Sequence, residues 1–185
     1  MPESTEQTQI DGSTRSRTHH WEDPTPAQAE LRTRSGLDLL LAMGSGHLPL
    51  PPFASTVGIV AVEAEVGRVV FSLQPAEHHL NPLGSVHGGV LATLLDTCAG
   101  CAVHTTLPAG TGYTTLDLSV KYLRAVRPAS GLVRGEGVVV SAGRRTALAE
   151  ARAFDSEGRL LAHATSTCMI LDPADVVPLD ASAGR

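Results

Sequence analysis

Residues 88–103 read Gly88-Gly89-Val90-Leu91-Ala92-Thr93-Leu94-Leu95-Asp96-Thr97-Cys98-Ala99-Gly100-Cys101-Ala102-Val103. Val90, Leu91, Leu94, Leu95, Cys98 and Ala102 recur at helical spacing. Almost every residue from Val90 to Val103 is apolar or small, which leaves such a helix little solvent face and predicts that it is buried. Pro108 and Gly110 end the pattern at about residue 106. A long buried helix has to be wrapped by something, and the rest of the chain supplies strands. Ahead of it, Thr56 to Glu65 alternates apolar and polar residues, Gly67 marks a turn, and Arg68 to Leu73 forms a second strand. Behind it come four strand-like stretches, about Gly112–Tyr122, Leu132–Ser141, Arg144–Asp155 and Leu160–Ile170. Turn signals at residues 128–131, at Gly143 and at residues 155–158 separate them.

The small residues have a pattern of their own. Ala147, Ala149, Ala151 and Ala153 fall on one face of their strand, as do Ala162, Ala164 and Ser166 on theirs, because strand side chains alternate. Such a face lets a helix sit close against a sheet. No alternation of strand and helix appears, which argues against a doubly wound parallel sheet. The predicted fold class is α+β, a curved antiparallel β-sheet around a long central helix.

The flanks divide the remaining chain. Residues 1–25 are polar and aperiodic and are expected to be a disordered tail. Residues 26–50 are expected to hold an N-terminal helix from Pro26, stopped by Gly44 and Gly46, and then a stiff linker from His47 to Pro52. Residues 51–172 are the expected main domain and 173–185 a C-terminal tail. The chain has 185 residues, 42% hydrophobic and 18% charged, with only 3% aromatic, so Val, Leu and Ala must build the core. Fourteen basic against nineteen acidic residues give a net charge of −5, which argues against a nucleic-acid partner. No signal-like or membrane-spanning apolar run is present, so a cytoplasmic location and no membrane partner are expected. The three cysteines, Cys98, Cys101 and Cys168, are expected to be reduced. Cys98 and Cys101 form a C-x-x-C pair, but late in a helix and with no second ligand pair, so a redox or metal role is the lesser reading and no metal is expected.

The chemistry concentrates just before and within the helix, in Asn81-Pro82-Leu83-Gly84-Ser85-Val86-His87-Gly88-Gly89-Val90 and Leu94-Leu95-Asp96-Thr97. Two glycines at a helix start expose backbone N–H groups where the helix dipole is positive, an arrangement suited to a developing oxyanion. The alternative is that they only permit a tight loop. Asp96 interrupts an apolar helix. An unpaired buried carboxylate costs several kcal/mol, so such a residue is expected to be paired or functional.

This pattern resembles the signature of hotdog-fold acyl-coenzyme A thioesterases of the phenylacetic-acid-degradation (PaaI) and 4-hydroxybenzoyl-coenzyme A thioesterase type: an Asn, a Gly, His-Gly-Gly at a helix start and an acidic residue nine positions after the His. The resemblance covers roughly residues 51–170. It implies a hotdog fold that hydrolyses an aryl- or medium-chain acyl-coenzyme A, coenzyme A being part of the substrate and no cofactor being needed. It implies Asp96 as nucleophile or general base, and the N–H of Gly88 or Gly89 as oxyanion donor. His87 would bond the thioester oxygen or fix the loop, and Asn81 would hold water or the acyl carbonyl, or cap a turn. Thr115 would orient water or be an ordinary strand residue. Arg124, Arg144 and Arg145 are the candidates for coenzyme A phosphates. His78, His79, His104 and His163 lack metal spacing. The resemblance also implies a homodimer, with one chain's helix start facing the other's acidic residue, and pairing of dimers into a homotetramer. Two further readings stand beside it: a hotdog dehydratase or hydratase, which needs a different placement of histidine and acid, and a non-catalytic acyl-coenzyme A-binding protein.

Overall fold

The computed structural model describes residues 14–176. Six strands, β1 (Ile59–Glu65), β2 (Arg68–Leu73), β3 (Gly112–Tyr122), β4 (Val133–Ala142), β5 (Thr146–Phe154) and β6 (Leu160–Leu171), form one antiparallel sheet in the order β1-β2-β4-β5-β6-β3. The sheet wraps a 17-residue helix, α4 (Gly88–His104), which touches β2, β3, β4, β5 and β6. This is the fold class that the sequence predicts. The alternating alanines of β5 and the Ala162–Ala164–Ser166 face of β6 are buried against the helix.

Two glycines of β4 set how closely the helix approaches. A Cβ at Gly135 would stand 2.8 Å from Cys98 Sγ, and one at Gly137 would overlap the Cys98 carbonyl itself. At Gly137 the obstacle is helix backbone, which cannot rotate away. Gly137→Ala is therefore expected to destabilise the fold by about 3 kcal/mol, the upper end of overpacking costs. A denaturant midpoint unchanged from wild type would show that helix and sheet can separate freely.

The N-terminal part departs from expectation in two places. The periodicity beginning at Pro26 belongs to two helices, α1 (Thr25–Glu30) and α2 (Gly36–Gly44). Ser35 ends the run, because its extended backbone and its hydroxyl, which accepts the Asp38 N–H at 3.2 Å, start a new helix. Gly36 sits against the His104 carbonyl and donates its N–H to Leu107 O at 3.0 Å, tying α2 to the end of α4. The stretch expected to open as a strand at Thr56 instead closes a short helix, α3 (Pro52–Val57), which ends at Gly58 in the left-handed region, and β1 starts only at Ile59. Pro52 near a helix start has its fixed φ and lost N–H in a harmless place. Residues 14–23 are irregular, and Arg17 Nη2 donates to the Ser55 carbonyl at 3.5 Å. The rest of the expected tails, residues 1–13 and 177–185, lies outside the described residues.

Helix α4 is also not buried all round. Leu91, Leu94, Leu95, Cys98, Ala99, Ala102 and Val103 face the sheet, whereas Thr93, Asp96 and Thr97 are half-buried. Threonine and small residues disguised this open face in the sequence, because they read as apolar in a periodicity count.

Candidate functional site

The start of α4 is built by a short loop. Asn81 Oδ1 accepts the N–H groups of Leu83 at 2.9 Å and Ser85 at 3.2 Å, while its Nδ2 donates to Ser85 Oγ at 3.0 Å. Its side chain therefore closes the turn ahead of the helix. His87 is the N-cap, in an extended conformation, and its Nδ1 accepts the N–H of Gly89 at 3.0 Å. That bond narrows the choice between the two glycine donors. The Gly89 N–H is occupied by the imidazole, whereas the Gly88 N–H has no partner among the described residues and stands at the positive end of the helix.

Asp96 lies on the open face of α4, two helical turns further on. It is half-buried, not deep as the apolar pattern suggests. Thr115 Oγ1 donates to Asp96 Oδ1 at 2.9 Å, and among the described residues Oδ2 has no hydrogen-bond partner. The carboxylate is thus oriented through one oxygen with the other left open.

A β-bulge at Leu116 makes this arrangement fit the sheet, since Thr115 pairs with Cys168 and Asp117 with Thr167. In a regular strand Thr115 and Tyr122, seven residues apart, would point to opposite faces. The extra residue shifts the phase. Tyr113 and Thr115 before the bulge, and Leu118, Val120 and Tyr122 after it, all face the helix side. Tyr113 packs on Gly100, where a Cβ would come within 2.5 Å of its ring, and Tyr122 Oη donates to the Gly88 carbonyl at 2.9 Å. Strand β3 therefore holds both ends of the functional stretch of α4. Tyr122 was missed in the sequence because the bulge hides its face.

The arginine candidates do not converge within one chain. Arg124 lines a groove beside Gly88, with Nη1 donating to the Leu160 carbonyl at 2.6 Å. Arg144 and Arg145 sit exposed in the β4–β5 turn, where Arg145 O accepts the Ile170 N–H at 2.9 Å, near the opposite end of α4. Cys98 and Cys168 are buried and Cys101 half-buried. Burial pushes the Cys101 thiol up to about 12 and those of Cys98 and Cys168 above their ordinary value. A redox pair needs a stabilised thiolate, so the C-x-x-C spacing is core packing. His79 accepts the Ala76 N–H at Nδ1 (3.2 Å) and contacts the Val57 carbonyl through Nε2 (3.0 Å). His104 is held below its ordinary pKa by burial, and His163 faces Glu150 at 3.5 Å. Among the described residues no three His, Cys, Asp or Glu side chains gather as a metal would require, and no helix is long and apolar enough to cross a membrane.

Comparison with known proteins bears on the family. Residues 83–162 match the model of the thioesterase superfamily. A phenylacetic acid degradation-related protein of Ralstonia eutropha is similar in structure, with a TM-score of 0.65 and 32% identity over 70% of this chain and 98% of that one. A hypothetical thioesterase of Streptococcus pneumoniae, solved with coenzyme A, has a TM-score of 0.57 and 29% identity over 62% of this chain and 86% of that one. Human acyl-coenzyme A thioesterase 13 is 30% identical over 84 residues, 45% of this chain and 55% of that protein. The chain spans little more than half the length of the curated relatives that it matches. The wrapped helix, the match across its motif, and the near-complete coverage of the Ralstonia protein together make this chain a hotdog-fold member of the thioesterase superfamily.

Proposed function

We propose that this chain hydrolyses acyl-coenzyme A thioesters to a free acid and coenzyme A. The observation that carries the reading is the half-exposed Asp96 carboxylate, oriented through one oxygen by Thr115 and open at the other. The coenzyme A in the Streptococcus pneumoniae neighbour and the name of the human relative support the substrate class.

The chemistry follows from what each group offers. Acting as general base, Asp96 Oδ2 takes a proton from water, whose oxygen attacks the thioester carbon. The oxyanion is stabilised by the Gly88 N–H, the carbon–sulfur bond breaks, and Asp96 returns the proton to the leaving thiolate. Acting as nucleophile, the carboxylate oxygen attacks the same carbon, and the carbon–sulfur bond breaks to expel the coenzyme A thiolate. Water then cleaves the resulting mixed anhydride to the free acid and the regenerated carboxylate, its proton neutralising the thiolate. Both routes need an ionised Asp96 and the same oxyanion donor. His87 and Asn81 position that donor, His87 through Gly89 and Asn81 through the turn.

One chain cannot bring these groups to one carbonyl. Eight residues of helix separate Gly88 from Asp96, about 12 Å at 1.5 Å per residue. Strand β3 lies at the edge of the sheet with Leu116 and Tyr122 exposed, and edge strands invite pairing. Antiparallel pairing of two β3 strands about Leu118 and Ser119 would bring the Tyr122 end of one, with Gly88, alongside Thr115 and Asp96 of the other. We therefore read the site as shared between the chains of a homodimer. The same two-fold would bring Arg144 and Arg145 of one chain toward Arg124 of the other, at a groove for coenzyme A phosphates.

The test is thiol release from acetyl-, octanoyl-, palmitoyl-, phenylacetyl-, benzoyl- and hydroxybenzoyl-coenzyme A. Turnover of the aryl or medium-chain esters is expected. Silence across the panel from a folded dimer would leave the non-catalytic acyl-coenzyme A-binding reading in its place.

A further inference from the structure

Two grooves flank the start of α4, and their chemistry differs. One, of about 270 Å³, runs past Gly88 and Tyr122 and carries Arg124. The other, of about 390 Å³, lies on the opposite flank, between the open face of α4 and the end of α3. Val57, Leu80, Val90 and Thr93 line it, with His78 and His87 beside them. We propose that this second groove holds the acyl group, a small aryl or medium-chain aliphatic one, and that Val57 sets how large an acyl group it admits. The inference rests on the thioesterase reading and goes beyond it in assigning the groove and the residue.

The walls favour an acyl group over a phosphate. Among the described residues no Lys, Arg, Asp or Glu lines this groove. His79, which also borders it, accepts the Ala76 N–H at one nitrogen and meets the Val57 carbonyl through the other, so both ring nitrogens are engaged. His78 is held below its ordinary pKa, first by burial and then by its neighbours His79, Arg17 and His19. Its rings with His79 lie 4.0 Å apart. A phosphate entering there would lose water and meet no Lys or Arg on the described walls. Val57, Leu80 and Val90 pack against the main core, and an alkyl or aryl group would extend that core. A thioester held at Gly88 thus has a charged groove for coenzyme A on one side and a neutral aliphatic one for the acyl group on the other.

Size and position single out Val57. The groove is near the lower end of the roughly 300–1,000 Å³ of small-ligand sites, which suits a ring or a medium chain. Val57 is the last residue of α3, anchored by His79 on its carbonyl and followed by the left-handed Gly58. It lies ahead of β1, so this wall is supplied by the short helix that precedes the sheet.

The test uses Val57→Phe and Val57→Ala in the full chain, with two readouts. The first is the ratio of kcat/KM for octanoyl- over acetyl-coenzyme A. Val57→Phe is expected to lower it at least tenfold, and Val57→Ala to raise the preference for longer chains by about fourfold per additional buried methylene. The second is calorimetric affinity for S-octyl-coenzyme A, a thioether that cannot be hydrolysed, relative to coenzyme A alone. Val57→Phe is expected to lower that ratio at least tenfold. Ratios within twofold of wild type in folded variants would overturn the assignment. If wild type hydrolyses nothing, the thioesterase reading fails while the thioether arm still decides the groove. If Val57→Phe does not fold, Val57→Ala decides it.

Discussion

Asp96→Asn is expected to lower turnover of the best acyl-coenzyme A between about 10²- and 10⁴-fold, the range associated with a positioned proton acceptor. The substitution changes almost nothing else. Asparagine has the same shape, and its Oδ1 can still accept the Thr115 hydroxyl that Asp96 accepts at 2.9 Å. Asp96 is half-buried and makes no salt bridge among the described residues, so its neutral analogue leaves no buried cation unpaired. The fold and the proposed dimer should persist, as circular dichroism and sedimentation would report. What disappears is the negative charge on the oxygen that faces away from Thr115, and with it the capacity to take a proton from water or to attack the thioester carbon. A rate within threefold of wild type in the folded variant would remove Asp96 from the mechanism altogether. An acyl-enzyme species trapped in wild type by rapid quench and absent in the variant would favour the nucleophile route. Burst-free kinetics would favour the general base.

How far the sequence foretold these features varies with the kind of information each needs. The helix-in-sheet architecture was legible because the Val90–Val103 periodicity and the alternating alanines of β5 and β6 are local patterns, each readable within a dozen residues. The His87-to-Asp96 spacing was legible for the same reason. Features that depend on partners far apart in the chain were not. Nothing near Gly89 says that His87 will cap it and leave Gly88 as the free donor, since a helix start offers several N–H groups and only the loop geometry decides among them. The bulge at Leu116 carries no glycine or proline to betray it, yet it decides that Thr115 and Tyr122 share a face. The break between α1 and α2 was written in the sequence as Ser35 ahead of Asp38, a capping pair that a hydrophobic count passes over. Val57 was read as part of a strand because the apolar–polar alternation of residues 56–65 suggests one, and the helix-starting Pro52 outweighed that pattern.

Gly88→Pro tests the other half of the site. Proline has no N–H, so the variant deletes the proposed oxyanion donor and nothing larger. The position is unusually permissive: Gly88 is the first residue of α4, where proline's fixed φ fits the helix. The preceding residue, His87, already has ψ 136, the extended conformation that a following proline requires. No hydrogen bond is lost, because the Gly88 N–H has no partner among the described residues. The new ring must settle against Tyr122, whose Cζ would lie 3.2 Å from a Cβ at this position. Gly88→Ala makes the same contact and keeps the N–H, so it is the control for crowding. The expected loss in kcat for Gly88→Pro is about 10²–10³-fold, the range measured when one oxyanion donor is removed, with Gly88→Ala far milder. Equal losses in the two variants would assign the effect to crowding of Tyr122 and leave the oxyanion without its proposed donor. The pair of inactive variants then asks whether the site is shared. Gly88→Pro chains still carry Asp96, and Asp96→Asn chains still carry the Gly88 N–H. If one carbonyl needs Gly88 of one chain and Asp96 of the other, a mixed dimer contains one intact site. In a two-fold dimer, an equal mixture after subunit exchange should therefore recover about a quarter of wild-type activity. Exchange demonstrated by mass spectrometry without recovery would place both groups on the same chain's substrate, a geometry that the 17-residue helix carrying them would then have to bend to allow.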